Sequence, residues 1–134
     1  MRKTLGLAAL AVALACGGAN AQQVTVKVGV LSDMSSLYSD IGGAGSAAAA
    51  KLAIADFAKA NPNVKVELIS GDHQNKPDIG SQLANQWYDV DKVDLIIDTP
   101  NSGVALAVSQ ITATKNKVFI VSGAAASDLT GPKC

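Results

Sequence analysis

Several short segments contain residue types that could bind or transform a small molecule. The segment Gly43-Ala44-Gly45-Ser46-Ala47-Ala48 has the GxGxxA spacing of a dinucleotide-binding turn. In that chemistry the glycines follow a strand directly, so that a pyrophosphate can lie on the N-terminus of the next helix. Here eleven residues, Ser32 to Gly42, separate Leu31 at the end of a predicted strand from Gly43. The spacing therefore argues against nucleotide binding and favours a helix start whose small residues pack close to a sheet.

Other residues that could take part in catalysis stand alone. The single histidine, His73, lies in the polar segment Gly71 to Lys76, and we interpret it as a solvated loop residue, with a ligand contact as the alternative. The carboxylates Asp89, Asp91 and Asp94 lie around the start of a predicted strand, at the opposite end of the sheet from the polar segments, and suit a solvated turn. The sequence has no Walker A loop, GxSxG elbow or CxxC pair, and no residues have the spacing of a metal site. We therefore predict a protein without catalytic residues, metal or cofactor.

Two segments suit the capture of a carboxylate. Pro100-Asn101-Ser102-Gly103 precedes a predicted helix, whose free N–H groups and dipole favour a negative group. Ser122 to Thr130 offers similar groups after the next strand. The alternative is that Asn101 or Ser102 only caps the helix and that Ser127 only shapes a turn. Both interpretations stay open, because a cap also presents the free N–H groups.

These segments are positioned by strands that alternate with helices. The hydrophobic pattern predicts strands at Val24–Leu31, Val64–Ser70, Val93–Asp98 and Val118–Ser122, and helices at Gly45–Ala60, Pro77–Asp89 and Gly103–Lys115. The third strand is nearly all apolar, as is typical of a strand covered on both faces. The order predicts an α/β fold with a parallel sheet, helices on both faces and right-handed crossovers.

In such a sheet, ligands bind beyond the carboxyl ends of the strands. Four segments rich in Ser, Asn, Asp or Gly follow the predicted strands: Ser32–Ile41, Gly71–Lys76, Thr99–Gly103 and Gly123–Thr130. We expect them to meet at one edge, where they would offer many small hydrogen-bonding groups.

The composition is that of a folded domain. Hydrophobic residues make up 49% and charged residues 16% of 134 residues, enough to build one packed core. The formal net charge is +0, and no basic cluster follows Lys3, which argues against a nucleic-acid surface.

The N-terminus has the organisation of a secretory signal peptide. Two basic residues are followed by the apolar stretch Thr4 to Ala15, which is shorter than a membrane-spanning helix, and by the small-x-small site Ala19-Asn20-Ala21. We expect residues 1–21 to be removed, so that the mature chain starts at Gln22 in the periplasm.

The two cysteines raise separate questions. Cys16 could instead be the lipidated residue of a lipoprotein, but the residues before it fit that pattern poorly. If the signal peptide is removed, Cys134 is alone in an exported chain, where thiols tend to be paired. It is either a free terminal thiol or a residue whose partner lies in further polypeptide, and we favour the second interpretation.

The segments at the strand ends resemble the type I periplasmic binding proteins of the leucine/isoleucine/valine-binding family. The resemblance covers the mature chain and rests on Val28–Leu31, Leu37–Gly42, Gly71–Asp72, Asn75–Pro77, Asp94–Ile97, Pro100–Ser102 and Phe119–Ala124. It implies two α/β lobes that are joined by a hinge and close on the ligand. Residues 22–134 would then form most of the N-terminal lobe, and the C-terminal lobe would be missing, together with the probable partner of Cys134.

The resemblance also implies roles for individual residues. Tyr38 matches the aromatic residue that flanks the ligand, and Ser102 matches the hydroxyl that holds the ligand carboxylate. Ala124 would offer a backbone carbonyl to an α-amino group, and Ala126 or Ser127 stands at the place of a further hydroxyl contact. The first loop is also similar to that of relatives that include receptors for aromatic acids and amides.

The implied function is solute capture for an ABC importer, without catalysis. The expected partners are a small carboxylate-bearing solute, such as a branched-chain amino acid or an aromatic acid, and a membrane permease. One alternative is a periplasmic ligand-sensing domain of a signalling protein. Another is a nucleotide-dependent α/β enzyme that uses the Gly43–Ala48 turn.

Overall fold

The computed structural model describes residues 23–133, so the predicted signal peptide, Cys16 and Cys134 lie outside the described residues. The elements are β1 (Val24–Ser32), α1 (Gly43–Ala60), β2 (Val64–Asp72), α2 (Pro77–Asp89), β3 (Leu95–Asp98), α3 (Ser102–Thr114), β4 (Val118–Val121) and a 3₁₀ turn (Ser127–Leu129). Within this range no helix has the length and hydropathy needed to cross a bilayer.

The four strands form one parallel sheet in the order β2-β1-β3-β4. Helices lie on both faces, with α1 on one face and α2 and α3 on the other. The predicted α/β fold with a parallel sheet is therefore confirmed.

The core lies between the sheet and the helices α2 and α3. Leu31 of β1 and Ile96 of β3 are fully buried there against Ala84, Trp87, Val104 and Val108. These positions explain the apolar spacing of the two helices, because residues three and four apart share one helix face.

The ring of Trp87 packs against β1 and β2 at positions where each strand has a glycine. A methyl group on Gly29 would lie 2.5 Å from Cε3 of Trp87, and one on Gly71 would lie 2.7 Å from Cζ2. Gly80 of α2 is similarly close to Val104 of α3, because a methyl group there would lie 2.5 Å from Cγ1 of Val104. Three glycines thus let α2 approach both the sheet and α3.

Four predicted strand boundaries differ from the structure. β1 ends at Ser32 and β4 at Val121, one residue from the predicted ends, and the differences in β2 and β3 are larger. β2 continues past Ser70 to Asp72, because its ladder with β1 runs as far as the pair Ser32 and Asp72. β3 begins at Leu95 and not at Val93, since the N–H of Val93 is bonded to the carbonyl of Trp87 in the last turn of α2. Val93 is nevertheless fully buried. Its apolar side chain therefore extends the apolar pattern of the strand, although the residue lies outside β3.

Candidate ligand-binding site

The candidate site lies at the carboxyl ends of the parallel strands. Since all four strands run in the same direction, the four predicted polar segments meet at one edge of the sheet. Side-chain hydrogen bonds join these loops to one another.

Asn101 is the N-cap of α3. Its Oδ1 accepts a hydrogen bond from the N–H of Val104 at 2.9 Å, and its Nδ2 donates to Oδ1 of Asn75 in the loop after β2. Both ends of this side chain are therefore engaged within the protein. The capping interpretation of Asn101 is correct, and the residue also joins two of the loops.

Ser102 is the first residue of α3 and lies against the last loop. Its Oγ accepts a hydrogen bond from the N–H of Ala125 at 3.2 Å. Within residues 23–133 the hydroxyl has this bond alone, so its hydrogen is free to donate to a ligand oxygen. The N–H groups of Ser102 and Gly103 precede the first intrahelical bond, which Ala105 donates to the carbonyl of Asn101. These three groups have no acceptor among the described residues, and a free donor group at a helix N-terminus favours an anion.

The turn that leads into α3 has an unusual backbone. Asp98 and Thr99 have φ angles of 84° and 67°, which non-glycine residues rarely adopt and which cost about 1–3 kcal/mol each. The hydroxyl of Thr99 donates to the carbonyl of Leu31 at 3.0 Å, and the hydroxyl of Ser122 donates to Oδ1 of Asp98 at 2.6 Å. These bonds fix the turn to the ends of β1 and β4. The turn that precedes α3 is therefore held by bonds to residues at the ends of two strands.

The first loop is held by two carboxylates. Asp33 is fully buried and accepts hydrogen bonds from the hydroxyl of Ser36 at 2.6 Å and the N–H of Tyr38 at 2.9 Å. Asp72 accepts from the hydroxyl of Ser35 at 2.6 Å. Burial acts to raise the pKa of both carboxyls, but their hydrogen bonds outweigh it and hold each pKa below the usual value. Asp33 thus holds the backbone of half-buried Tyr38, and Asp72 holds the start of the same loop through Met34 and Ser35.

The interpretation of His73 as a solvated residue is wrong. Its side chain is fully buried, next to Gly80 of α2. Its Nδ1 accepts from the N–H of Asn75 at 3.0 Å, which assigns the proton to Nε2, and Nε2 is buried with no partner among the described residues. Burial lowers the pKa of His73, against the opposing influence of Asp33, Asp72 and Asp98. As placed, the ring has no exposed surface for a solute.

The last loop carries the remaining predicted residues. Ala124 and Ala126 are half-buried, and Ser127 is exposed at the start of the 3₁₀ turn. Ala124 also lines a groove of about 590 Å³ between α3, β4 and this turn, and that groove does not include Tyr38, Asn101 or Ser102. The structure thus brings Ser102 to the last loop through Ala125, while Tyr38 shares the edge without a hydrogen bond to either.

The glycine-rich turn uses one of its backbone donors within the protein. The N–H of Gly43, at the start of α1, is bonded to Oγ of Ser32 at 2.9 Å. That donor is therefore not available to a pyrophosphate. Among residues 23–133, no three His, Cys, Asp or Glu side chains are grouped so that they could hold a metal ion.

The described residues thus form a parallel sheet with helices on both faces and with its polar loops at one edge. The chain belongs to the periplasmic binding protein family, whose model matches residues 25–134. No curated protein sequence matches the chain.

Solved structures show the same fold. A periplasmic ligand-binding protein of a branched-chain amino acid ABC transporter from Burkholderia xenovorans is 43% identical, with a TM-score of 0.77 over 81% of this chain and 29% of that one. A periplasmic binding protein from Burkholderia mallei is 41% identical, with a TM-score of 0.75 over 82% of this chain and 29% of that one. A Rhodopseudomonas palustris ABC transporter solute-binding protein in complex with 3,4-dihydroxybenzoic acid is 28% identical. Its TM-score is 0.72 over 79% of this chain and 29% of that one. The chain therefore spans less than a third of the length of these relatives.

Proposed function

We propose that the chain forms the N-terminal lobe of the extracytoplasmic solute-binding component of an ABC importer. It captures a small carboxylate-bearing solute between this lobe and a second one, and delivers it to a membrane permease. The role is binding without catalysis, and the place is the periplasm. The observation that carries the proposal is the group of free donors at the N-terminus of α3, formed by the Ser102 hydroxyl and the N–H groups of Ser102 and Gly103.

The class of solute follows from the chemistry of that group. Three donors at a positive helix end, with no basic side chain beside them in the first turn of α3, suit a carboxylate that accepts several hydrogen bonds. The ligands in two related structures, 3,4-dihydroxybenzoic acid and 4-hydroxybenzoate, are aromatic carboxylates, which supports an acid of this type. The half-buried ring of Tyr38 on the same edge would contact the apolar part of the solute.

The proposal can be tested on the chain itself. One lobe encloses only half of a ligand, so we expect millimolar rather than micromolar affinity. Titration with 4-hydroxybenzoate should shift the amide NMR signals of Ser102, Gly103 and Ala125, and 4-hydroxybenzamide should not. In a Ser102→Ala variant the carboxylate response should weaken, whereas Ser81→Ala, whose hydroxyl bonds only the carbonyl of Pro77, should respond like the parent chain. Equal responses to acid and amide would contradict the carboxylate assignment.

A further inference from the structure

Three side chains form a continuous series of hydrogen bonds between two loops of the candidate site. Nδ1 of His73 accepts the N–H of Asn75 at 3.0 Å, and Oδ1 of Asn75 accepts from Nδ2 of Asn101. Oδ1 of Asn101 in turn accepts the N–H of Val104 at 2.9 Å. This series, called here the loop bridge, runs from a buried ring after β2 to the first turn of α3, which carries the candidate donors.

The ring of His73 is fixed at the buried end of the loop bridge. The residue is fully buried, and its N–H donates to the carbonyl of Ser32 at the end of β1 at 2.9 Å. Helix α2 packs against it at Gly80, which brings no charge. Burial lowers the pKa of His73, and three carboxylates act in the opposite direction: Asp33, Asp72 and Asp98. The ring is therefore neutral at pH 7, and its Nδ1 keeps the lone pair that accepts from Asn75.

The turn after His73 depends on side-chain support. Gln74 and Asn75 have φ angles of 51° and 57°, which non-glycine residues rarely adopt. Oδ1 of Asp72 accepts the N–H of Gln74 at 2.8 Å, and the ring of His73 accepts the next N–H, that of Asn75. A side-chain acceptor that binds the N–H two residues ahead makes an Asx turn when the residue is Asn or Asp. His73 thus does with Nδ1 what an asparagine oxygen usually does.

Asn75 in turn selects the orientation of the Asn101 amide. With Oδ1 of Asn101 on the N–H of Val104, its Nδ2 faces the oxygen of Asn75. If the amide were rotated by half a turn, donor would face donor at Val104 and acceptor would face acceptor at Asn75. The oxygen of Asn75 therefore stabilises the orientation in which Asn101 caps α3.

We propose that His73 is a positioning residue of the candidate site, which acts through Asn75 and Asn101 on the first turn of α3. Its ring holds the turn, the turn orients the capping amide, and the cap sets the direction of the N–H groups of Ser102 and Gly103. The link to solute binding rests on the proposed function, whereas the loop bridge itself does not.

Two substitutions of His73 distinguish positioning from packing. In His73→Asn the new oxygen is attached to Cγ, as Nδ1 is, so the acceptor for Asn75 is kept. In His73→Gln the amide lies one bond further out, so this acceptor is lost, but glutamine fills more of the volume of the ring. A role in packing alone therefore favours glutamine, because the smaller side chain leaves the larger cavity. A role in positioning favours asparagine.

Amide hydrogen exchange of the chain, followed by NMR, tests the loop bridge without a ligand. The N–H of Val104 should exchange at least about tenfold faster in His73→Gln than in the parent chain, and within about threefold of the parent rate in His73→Asn. Tyr88→Phe is the control for lost stability, since it removes buried bonds to Thr112 and Val118 away from these loops. Equal acceleration in both His73 variants, none in His73→Gln, or as much in Tyr88→Phe would overturn the proposal.

If His73→Gln does not fold, the ring nitrogens of the parent chain decide. Long-range ¹H–¹⁵N spectra at pH 7 should show the proton on Nε2, and a proton on Nδ1 would overturn the proposal.

Titration with 4-hydroxybenzoate then tests the link to the site. The response of the Ser102 and Gly103 amides should require about tenfold more ligand in His73→Gln, because the donors are no longer preorganised, and should be kept in His73→Asn. Faster exchange of Val104 with an unchanged response would mean that the loop bridge does not serve the site, and the proposal would fail. If the parent chain itself gives no response, the proposed function fails, while the exchange of Val104 still decides whether His73 positions α3.

Discussion

The hydroxyl oxygen of Ser102 accepts the backbone N–H of Ala125 at 3.2 Å, which joins the first turn of α3 to the loop after β4. The hydrogen of the same hydroxyl has no acceptor among the described residues and could be donated to a ligand. One residue thus connects two loops of the candidate site and supplies one of its donors.

In a protein with both lobes, Ser102→Ala should weaken binding of a carboxylate ligand by about 1.5–3 kcal/mol, the range for hydrogen bonds to charged groups. Binding of the matching amide should change little, because that ligand lacks the charge. Calorimetry with 4-hydroxybenzoate and 4-hydroxybenzamide measures both affinities. A loss of the same size for the two ligands would show that Ser102 shapes the loop without contacting the carboxylate.

Asn101→Ala should lower the free energy of unfolding by about 1–2 kcal/mol, since it removes the α3 cap and the bond to Asn75. Asn101→Asp keeps an oxygen that can accept from Val104 and replaces the donor to Asn75 with a second acceptor. Urea unfolding should therefore rank the variants as parent, aspartate and alanine, in order of decreasing stability. An aspartate variant as unstable as the alanine variant would mean that the bond to Asn75, and not the cap, carries the effect.

Gly29→Ala should destabilise the protein by about 1–3 kcal/mol, because the new methyl group would overlap the ring of Trp87. Gly45→Ala is the matched control. It lies in α1 with no atom within 4 Å of the added carbon, and alanine favours helices over glycine by about 0.5–1 kcal/mol. The two substitutions should shift the urea midpoint in opposite directions.

Stability should fall as the pH is lowered from 7 towards 5, because the pKa of buried His73 is held below its usual value of 6.5. The unfolded chain then binds a proton that the folded chain excludes, and stability is lost as the pH falls below the unfolded pKa. A His73→Gln variant should show a flatter dependence over the same range, whatever its stability at pH 7. If the unfolding free energy of His73→Gln changes with pH as steeply as that of the parent chain, another group is responsible for the pH dependence.

Much of the fold could be predicted from the sequence. The strands β1 and β2 start with alternating apolar and polar residues, β3 and β4 are short apolar runs, and the helices have apolar residues three and four apart. The end of β2 could not, because Gly71 and Asp72 are paired with β1 although neither is apolar. The burial of His73 follows from that extension and from the approach of α2 at Gly80.

The site was predictable only in part. Asn101 and Ser102 lie at the start of a helix, and the hydrophobic pattern of the sequence predicts where that helix begins. Asp98, Thr99 and Asn75 act through contacts with residues that are 24 or more positions away, and no local pattern signals them. Signal peptide cleavage and the roles of Tyr38, Ala124, Ala126 and Ser127 stay predictions.

The packing of Trp87 on Gly29 and Gly71 has a spectroscopic consequence. The chain contains one tryptophan, and it is 4% exposed in the folded state. Its fluorescence should therefore be blue-shifted when α2 rests on β1 and β2, and should shift to the red once water reaches the indole. The native chain thus carries an intrinsic optical reporter for unfolding, placed where the helix layer meets the sheet.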